Sequence, residues 1–444
     1  MSDFDLIVIG TGVAGRTAAE DASKAGLRVA LADCREFGGT CALRGCEPKK
    51  VLVAAAEVVE RVRAQAANGI AGDAHLDWRR LVEFKRTFTE PLPAMFERSF
   101  AAMGVTLLHG VARFTSPGTL EVGGAVHSAR SFLVATGAIP APLGIEGEEL
   151  VIDSERLMES ESLPPRIVFI GGGYISFEFA ALARAAGSDP VIVHRGPWPL
   201  ELFDRDLVGL LLAHCSETGI DIRLDSPVTA VVPVGSELAV VLADGSEVRC
   251  DMVVHGAGRV PDLAALRLDV AGVAAGRHGV EVDHSMASIS NPAVYAAGDA
   301  AALGAPLTPV ATAQARVAVC NIVAPGSAVF DRTLVPSIVF CDPPLASVGL
   351  SEAAAREDGI DVAIRLVDTS GWLSSQRVGL HHTGAKTLVD RRSGRVLGAH
   401  LLCHNADELI NLFALAIERG ATVGQLKAIP WGYPTASSEI VYLL

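Results

Sequence analysis

The chain has 444 residues, of which 50% are hydrophobic, 44 are glycines and only 5% are aromatic. This length predicts about three domains, and the composition is typical of an α/β protein with a large core. The formal net charge of −14 argues against a broad surface for nucleic acids or anionic membranes, and no uncharged apolar run reaches the roughly 18 residues of a membrane span.

The first predicted unit consists of a strand at Leu6–Ile9, a glycine-rich turn, a helix and a second strand ending at Asp33. The turn, GTGVAG, contains three spaced glycines: Gly10, Gly12 and Gly15. In a dinucleotide-binding unit the first makes the turn, the second lets a pyrophosphate approach, and the third lets the helix pack on the strand. Because an acid at the end of the second strand suits a ribose diol, Asp33 completes a predicted dinucleotide site.

The next segment, GGTCALRGCEPKK at 38–50, holds two cysteines, Cys41 and Cys46. A regular helix separates positions five apart by roughly 7.5 Å along its axis, whereas a disulfide needs Cα atoms about 4.4–6.8 Å apart. The chain must therefore bend if the sulfurs are to meet, and Gly45 permits the bend. Pro48 suits the first turn of a helix, which places Cys46 near a helix N-terminus with two lysines following, and both features favour a thiolate. The segment predicts a redox-active dithiol, with two unrelated buried cysteines as the alternative.

The number of cysteines and the amino-terminal residues indicate the cellular compartment of the protein. Eight cysteines in 444 residues do not form a disulfide scaffold, and the opening MSDFDLIVIG shows no basic segment before its apolar run. We therefore expect no secretory signal and a cytoplasmic location, where a close cysteine pair is more often catalytic than structural.

A second unit of the same kind begins with a strand at Ile167–Ile170 and continues through GGGYIS, whose small residues are Gly171, Gly173 and Ser176. His194 and Arg195 occupy the position that corresponds to Asp33 in the first unit. A carboxylate there would repel a 2′-phosphate, whereas an arginine would pair with it. The pattern favours NADPH over NADH, with an arginine that merely ends a surface strand as the alternative.

Two different dinucleotide units in one chain indicate two different dinucleotides, most economically FAD in the first and NADPH in the second. Later segments support this interpretation. VYAAGDAA brings Asp299 to the end of an apolar strand, where it suits ribityl or phosphate contacts, and LVATGAIP brings another strand to a glycine turn. Segments 139–143 and 324–330 are the expected crossovers between domains.

Seven motifs occur in a fixed order along the whole chain: GTGVAG, GGTCALRGCEPKK, ATG, GGGYISFEFA, GAGRVPD, AAGDAA and YPTASSE. Together they resemble the class I pyridine nucleotide–disulfide oxidoreductases, a family that includes glutathione reductase, dihydrolipoamide dehydrogenase and mercuric reductase. The resemblance implies an α/β fold with two Rossmann-like dinucleotide-binding domains plus a C-terminal α+β dimerisation domain, in a homodimer. The expected segments are FAD-binding at 1–150, NAD(P)H-binding at 151–275, a return to the FAD-binding domain at 276–330, and the interface domain at 331–444.

The resemblance also assigns roles to matching residues. Cys46 is similar to the thiolate that faces the flavin, and Cys41 to the interchange thiol that attacks the substrate. Lys49 resembles a lysine near the flavin that is paired with a glutamate matching Glu178, and Tyr174 resembles a tyrosine that covers the flavin until nicotinamide displaces it. The resemblance places further cofactor contacts at Gly39, Thr40, Thr136, Gly137, Ile175, Gly258, Arg259 and Asp299.

The chain departs from the family at its carboxyl-terminal motif. The family's histidine and glutamate, which serve as acid and base for the thiol of the partner subunit, are replaced by Tyr433 and Ser438, with Glu439 one position further. A tyrosine titrates near pH 10 and is a poor proton shuttle at neutrality. Mercuric reductases resemble this chain in having that tyrosine, but they end in a cysteine pair, whereas this chain ends in EIVYLL.

Other histidines and cysteines show no metal-ligand spacing. We expect His381, His382 and His404 to be surface or core residues, and Cys341 and Cys403 to be packing residues, so no metal site is predicted. The expected activity is transfer of electrons from NADPH through FAD to a Cys41–Cys46 disulfide and on to a disulfide or another small-molecule or small-protein acceptor. Alternatives are a quinone or metal-ion reductase, an NADPH oxidase, and a redox sensor or complex subunit without turnover.

Overall fold

The computed structural model describes residues 2–331 and 334–444, and internal contacts divide the chain into two compact units. The first unit comprises Met1–Lys50, Glu83–Ala141 and Arg259–Thr333, and the second comprises Val51–Val82, Pro142–Gly258 and Leu334–Leu444. The four segment boundaries expected from the sequence stay a prediction.

The elements up to residue 140 are β1 (Phe4–Ile9), α1 (Val13–Lys24), β2 (Val29–Asp33), α2 (Gly39–Arg44), α3 (Cys46–Ala64), α4 (Trp78–Thr89), α5 (Leu92–Ala102), β3 (Thr106–His109), β4 (Ala112–Ser116), β5 (Thr119–Val122), β6 (Ala125–Val134) and β7 (Ala138–Pro140).

The middle of the chain contains α6 (Ser154–Glu159), β8 (Arg166–Ile170), α7 (Tyr174–Ala185), β9 (Asp189–Val193), α8 (Arg205–Thr218), β10 (Asp221–Arg223), β11 (Val228–Val234), β12 (Glu237–Leu242), β13 (Glu247–Cys250), β14 (Met252–His255), β15 (Arg259–Pro261), β16 (Ala275–Gly276) and β17 (Gly279–Val280).

The last part contains β18 (Val294–Ala296), α9 (Thr308–Val323), β19 (Ser337–Val339), β20 (Leu345–Gly349), α10 (Glu352–Glu357), β21 (Val362–Asp368), α11 (Leu373–Gln376), β22 (Gly384–Asp390), β23 (Val396–Leu402), α12 (Ala406–Glu418), α13 (Val423–Lys427) and α14 (Ile440–Leu443). Short 3₁₀ turns lie at Ala66–Asn68, Glu148–Leu150, Ala264–Leu266, Gly298–Ala300 and Ala436–Glu439.

The first unit is built on a seven-stranded sheet in the order β3-β2-β1-β6-β5-β4, with β18 also paired to β6. Its strands β1, β2, β3, β6 and β18 run parallel. Leu6, Ile7 and Val8 of β1 are 0% exposed, as expected for a parallel strand covered on both faces. Because the carboxyl ends of β1, β2 and β6 meet at one edge, GTGVAG, Asp33 and the ATG motif follow neighbouring strands at the edge where such sheets bind ligands.

The second unit contains a parallel sheet in the order β10-β9-β8-β14, an antiparallel sheet of β11, β12 and β13, and an antiparallel sheet in the order β19-β20-β23-β22-β21. Phe169 of β8 and Phe177 of α7 belong to one buried cluster, and Phe413 of α12 anchors another against the antiparallel sheet. Two parallel sheets with glycine turns and a carboxyl-terminal α+β part confirm the predicted fold class.

Candidate active site

The first glycine turn is tightly packed on one side and open on the other. Gly10 has a φ of +103°, and a Cβ there would lie 2.2 Å from the carbonyl oxygen of Ala135, so a side chain is excluded. A Cβ on Gly12 would meet nothing within 4 Å. The turn therefore leaves room for close approach of a pyrophosphate at Gly12.

Helix α2 begins against this turn. A Cβ on Gly39, whose φ is +70°, would lie 2.3 Å from the Cα atom of Gly12, so the backbones are in direct contact. Thr40 follows with an exposed side chain. The segment that carries the cysteines is thus anchored on the dinucleotide turn through Gly39.

Asp33 is held at the end of β2 by three hydrogen bonds. Its Oδ2 atom accepts from the backbone nitrogen of Thr11 at 2.8 Å and from Thr11 Oγ1 at 2.5 Å, and its Oδ1 atom accepts from the Arg35 nitrogen at 2.9 Å. Thr11 Oγ1 in turn accepts from the Gly38 nitrogen at 3.1 Å. A carboxylate oxygen has two lone pairs, so Asp33 retains acceptor capacity for a ribose diol.

The other strand ends of this sheet carry polar groups suited to a bound dinucleotide. The hydroxyl of Thr136, beside Gly137, is buried and has no hydrogen-bond partner within the described chain. Asp299 is half-buried, and burial raises its pKa while the charge of Arg259 opposes that shift. The unpartnered hydroxyl, the open turn at Gly12 and the fixed carboxylate of Asp33 fit FAD.

The second glycine turn repeats this construction in the second unit. Gly171 has a φ of +107°, and a Cβ there would lie 2.5 Å from the carbonyl oxygen of Gly256. Gly173 caps the start of α7, and Ile175 lies in its first turn. Ser176, in the third small position, is 0% exposed, and its hydroxyl has no partner within the described residues.

The two basic residues after β9 have different environments. Nδ1 of His194 accepts from the Gly172 nitrogen at 3.1 Å, and its Nε2 lies 3.0 Å from the Trp198 carbonyl oxygen, to which it donates. Both nitrogens of this buried ring are therefore engaged within the chain. Arg195 is exposed and is the cation of the pair that remains available to a phosphate.

The two cysteines lie where one helix ends and another begins. Cys41 is in α2, Gly45 separates the helices, and Cys46 is the first residue of α3, as predicted from the position of Pro48. The two sulfurs are not bonded to one another, and Cys41 is half-buried whereas Cys46 is exposed. Thr308, the first residue of α9, places its Oγ1 atom 3.5 Å from Cys41 Sγ and 4.0 Å from Cys46 Sγ.

The two thiols are electrostatically unequal. A hydrogen bond from the Cys41 thiol, the charge of Lys49 and the hydroxyl of Thr308 lower the pKa of Cys46 to about 6, although partial desolvation of the sulfur opposes the shift. The same hydrogen bond, together with burial, raises the pKa of Cys41 well above its usual value. At neutral pH the reduced pair therefore consists of a Cys46 thiolate and a protonated Cys41 thiol.

A family model described as pyridine nucleotide-disulphide oxidoreductase matches residues 4–315, and the dimerisation domain of the same family matches residues 335–444. The chain belongs to the pyridine nucleotide-disulphide oxidoreductases. The oxidoreductase is 34% identical to a glutathione reductase from Burkholderia cepacia over 99% of its length and 98% of the relative. It is 32% identical to a dihydrolipoyl dehydrogenase from Thermus scotoductus, with 99% and 96% of the two chains covered.

Other relatives act on or bind metals. The oxidoreductase is 30% identical to a mercuric reductase from Lysinibacillus sphaericus, covering 96% of this chain and 79% of that relative. Among solved structures, the Cu(II) complex of a cysteine-to-serine mutant of the HOCl-induced flavoprotein disulfide reductase RclA from Escherichia coli superposes with a TM-score of 0.90. That pair is 27% identical, with 100% of this chain and 99% of the other covered.

Family membership establishes the predicted enzyme class, an FAD-containing NAD(P)H oxidoreductase of the disulfide reductase type. FAD, when bound, supplies the two-electron chemistry that connects the nicotinamide to the dithiol. The chain also carries the dimerisation domain of the family. No helix among the described residues is long and apolar enough to cross a membrane.

Four further residues of the oxidoreductase are part of the predicted site. Glu178 is 1% exposed, and its Oε1 atom accepts from the Phe340 nitrogen at 2.8 Å. Tyr174 begins α7 and is 48% exposed, so its ring is accessible in this unit. Gly258 has a φ of +107° at the junction before Arg259, whose guanidinium donates to the Ala138 carbonyl oxygen.

The carboxyl-terminal motif, which differs from that of the family, forms an exposed segment. Tyr433 is 83% exposed. Ser438 closes a local turn with Thr435, whereas Glu439 Oε2 accepts from Ser374 Oγ at 2.8 Å. Burial raises the pKa of Glu439. The described contacts thus tie Glu439 to Ser374 and give Tyr433 no acid–base partner within its own unit.

The remaining candidate histidines have local partners. His381 Nδ1 lies 3.2 Å and His382 Nε2 2.7 Å from the two carboxylate oxygens of Glu217, and His404 Nδ1 lies 3.4 Å from an Arg61 guanidinium nitrogen. Cys341 is buried and Cys403 is half-buried, and burial raises the pKa of both thiols, as expected for packing cysteines.

Among the described residues, three carboxylates converge as a metal site would require: Asp204, Asp206 and Glu352. The ammonium of Lys386 occupies their centre at 2.8, 2.5 and 2.8 Å. Burial alone would lower the pKa of Lys386, but the three carboxylates raise it above its usual value. The cluster therefore contains its own cation.

Sequence reasoning missed Thr308 and Lys386. The Thr-Pro pair that opens α9 signals a helix start but not proximity to the cysteines. Lys386 occupies a strand position that sequence alone would treat as exposed.

Proposed function

We propose that this oxidoreductase uses NADPH to reduce a low-molecular-weight disulfide through Cys41 and Cys46, as a homodimer in the cytoplasm. The observation that supports this most strongly is the inequality of the two thiols beside Thr308. A thiolate at Cys46 suits the contact with a flavin, and a nearby second thiol suits exchange with an external disulfide.

The individual roles are part of the proposal. Cys46 holds the negative charge against the flavin, and Cys41 forms the mixed disulfide with the acceptor. Lys49 lowers the pKa of Cys46, Glu178 is the buried carboxylate that the resemblance pairs with that lysine, and Tyr174 covers the flavin until nicotinamide enters. The accessibility of Tyr174 and the burial of Glu178 support these assignments.

The preference for NADPH is supported by Arg195. It is exposed directly after β9, and His194 replaces the acid that would favour a 2′-hydroxyl. His194 contributes by fixing the second glycine turn through Gly172, because both of its ring nitrogens are engaged there.

An acceptor panel tests the activity directly. Purified FAD-loaded protein is assayed with NADPH and with NADH against disulfides, quinones, Cu(II), Hg(II) and O₂, alongside Cys41→Ser and Cys46→Ser. We expect disulfide reduction that either substitution abolishes. Peroxide formation that survives loss of both cysteines, without disulfide turnover, would instead establish an oxidase, and no turnover with any acceptor would support a sensor or complex subunit.

Metal-ion reduction is the second candidate, because Tyr433 occupies the position at which the family has a proton-shuttling histidine. A phenol is a poor base at neutrality, and metal reduction does not require protonation of a leaving thiolate. The likeness to a mercuric reductase and to the Cu(II) complex of RclA supports this alternative. Faster NADPH oxidation with Cu(II) or Hg(II) than with every disulfide, lost in Cys41→Ser, would favour it.

A further inference from the structure

Helix α8 carries two side chains of metal-binding type near its carboxyl-terminal end, on the face that packs against β22. Leu207, Leu210, His214 and Glu217 follow one another at helical spacing, so they lie on one face of α8. A Cβ on Gly384, the first residue of β22, would lie 2.8 Å from Cδ1 of Leu210. The last turns of α8 therefore lie beside the residues that precede β22.

Two histidines that precede β22 converge on the carboxylate of Glu217. His381 Nδ1 lies 3.2 Å from Oε1 of Glu217, and His382 Nε2 lies 2.7 Å from Oε2. Side chains of consecutive residues point to opposite sides of an extended strand, but the backbone bends at His382 and brings both rings to one acid. The centre of the His214 ring lies 6.3 Å from that of His382. Three imidazoles and one carboxylate thus lie together in the second unit.

This set of donor groups suits a divalent ion such as Zn(II). Imidazole nitrogens and carboxylate oxygens bind Zn(II) at about 2.0–2.2 Å, and a tetrahedral ion holds neighbouring donor atoms about 3.3–3.6 Å apart. The atoms of the His381–Glu217 pair are close to that spacing, and His382 would withdraw by roughly 0.6 Å from Glu217 to reach it. The ion would replace the protons that join Glu217 to the two rings.

His214 completes the set as a neutral ring. Burial lowers its pKa, so the imidazole is uncharged at pH 7, and the uncharged form is the one that binds metals. Two imidazoles on one tetrahedral ion have ring centres about 5 Å apart. A shift of roughly 1 Å from the observed separation of 6.3 Å would therefore bring His214 and His382 onto the same ion.

The charges around the cluster also favour a cation. Glu217 pairs with His381 and His382, and no lysine or arginine of the described chain forms an ion pair with it. The three carboxylates around Lys386 differ in this respect, because the ammonium group occupies their centre. The formal net charge of −14 attracts cations to the protein as a whole.

We propose that His214, Glu217, His381 and His382 bind one divalent transition-metal ion of the zinc class. Lys386 ties the start of α8 to β22, and the ion would tie the end of the same helix to the start of the same strand. Since α8 lies in the segment that matches the oxidoreductase model and β22 in the dimerisation domain, the ion would fasten these two parts of the chain together.

The proposed metal site is independent of the proposed activity, because it shares no residue with the dithiol or with either glycine turn. Its residues show no metal-ligand spacing along the chain, because 164 positions separate Glu217 from His381.

A zinc titration of the FAD-loaded protein tests the site. The dithiol is kept oxidised so that its sulfurs do not compete, EDTA removes residual metal, and Zn(II) is added in competition with a chromophoric chelator. We expect one ion per chain. Glu217→Gln and His382→Gln should each weaken binding at least about tenfold, because losing a ligand costs more than losing a group that only supports one. His75→Gln, at an exposed histidine elsewhere in the chain, should bind zinc as the unsubstituted protein does.

Two further measurements identify the ligands. X-ray absorption at the zinc edge should show imidazole scattering and no sulfur. Zn(II) should raise the melting temperature of the unsubstituted protein and of His75→Gln, but not that of Glu217→Gln or His382→Gln. Circular dichroism of the metal-free variants verifies their fold, and His381→Gln provides a third variant at the most exposed of the paired residues.

The outcomes are distinct for the metal site and for the proposed activity. No zinc uptake by the oxidised protein, equal affinity in Glu217→Gln and the unsubstituted protein, or sulfur bound to the zinc would overturn the site. Zinc binding that depends on Glu217 and His382, in a protein that reduces no acceptor, would support the site while the proposed disulfide reductase activity fails.

Discussion

Thr308 Oγ1 lies 3.5 Å from Cys41 Sγ, although 267 positions separate the two residues in the chain. The same hydroxyl lies 4.0 Å from Cys46 Sγ, so one side chain contacts both sulfurs. Because a hydroxyl can donate its proton to a sulfur on either side, Thr308 stabilises whichever cysteine is the thiolate. The start of α9 thus belongs to the dithiol site.

Thr308→Val should remove this contact while preserving side-chain shape. We expect the pKa of Cys46 to rise and disulfide turnover at neutral pH to fall about three- to tenfold, the effect of losing a hydrogen bond of ~1 kcal/mol. Steady-state kinetics and titration of the thiolate absorbance measure both effects. Thr312→Val, one turn further along α9, is the matched control, and an equal loss in that variant would contradict a specific role for Thr308.

The lowered pKa of Cys46 predicts the pH dependence of the reduced enzyme. The thiolate is favoured above the folded-state pKa of about 6 and is lost as the pH falls through that value. Cys41→Ala removes the thiol that donates to Cys46, so the midpoint should move upward by about one pH unit or more, whereas Cys41→Ser keeps a donor and should move it less. An unchanged midpoint in Cys41→Ala would show that the hydrogen bond does not set this pKa.

Arg195→Met should weaken discrimination between the two nicotinamide cofactors. Loss of a charge-assisted hydrogen bond to a 2′-phosphate should lower the ratio of kcat/KM for NADPH to that for NADH about ten- to hundredfold. Arg249→Met, an exposed arginine on β13, controls for the change in net charge. If the ratio stays constant in Arg195→Met, another group selects the cofactor.

Lys386→Met should destabilise the second unit. The Lys386 side chain is only 4% exposed. Its removal leaves the buried carboxylate of Asp204 without a counter-ion beside the half-buried Glu352, which keeps only its ion pair with the exposed Arg356. We expect the free energy of unfolding to fall by about 3–5 kcal/mol at pH 7. Urea unfolding measures this change, and Lys427→Met serves as an exposed control.

The sign of the pH effect distinguishes this explanation from lost packing. In the unsubstituted protein a hydrogen bond from Lys386 lowers the pKa of Glu352, so this stabilisation is present above the unfolded-state pKa and is lost as the pH falls. In Lys386→Met the carboxylates repel one another. The difference in free energy of unfolding between this variant and the unsubstituted protein should therefore shrink below about pH 5, where the carboxylates take up protons. If the loss of unfolding free energy in Lys386→Met does not depend on pH, it comes from lost side-chain packing alone.

The sequence predicted local geometry well. The spacing of Gly10, Gly12 and Gly15 predicted a turn closed on the sheet and open at Gly12, and Pro48 predicted that Cys46 begins a helix. These features depend on backbone sterics and helix capping within a few residues, which a linear sequence records directly.

Contacts between distant segments were not predictable in the same way. Thr308 reaches the cysteines only because the parallel sheet brings the start of α9 to the same edge as α2. The sequence places His194 with Arg195 at the cofactor's ribose, but it does not show that the ring nitrogens of His194 bond Gly172 and Trp198. Lys386 is buried because Asp204 and Glu352 approach it from α8 and α10, and no local pattern encodes that encounter.

The central claim is that electrons reach the acceptor through a Cys46 thiolate beside the flavin. Anaerobic stopped-flow mixing of the FAD-loaded enzyme with one equivalent of NADPH tests it most directly. We predict that NADPH produces a long-wavelength thiolate–flavin absorbance in the unsubstituted enzyme, that Cys41→Ser shows this absorbance before NADPH is added, while its flavin is oxidised, and that Cys46→Ser shows it under neither condition. A band of full intensity in Cys46→Ser, or no band in the unsubstituted enzyme, would contradict the account.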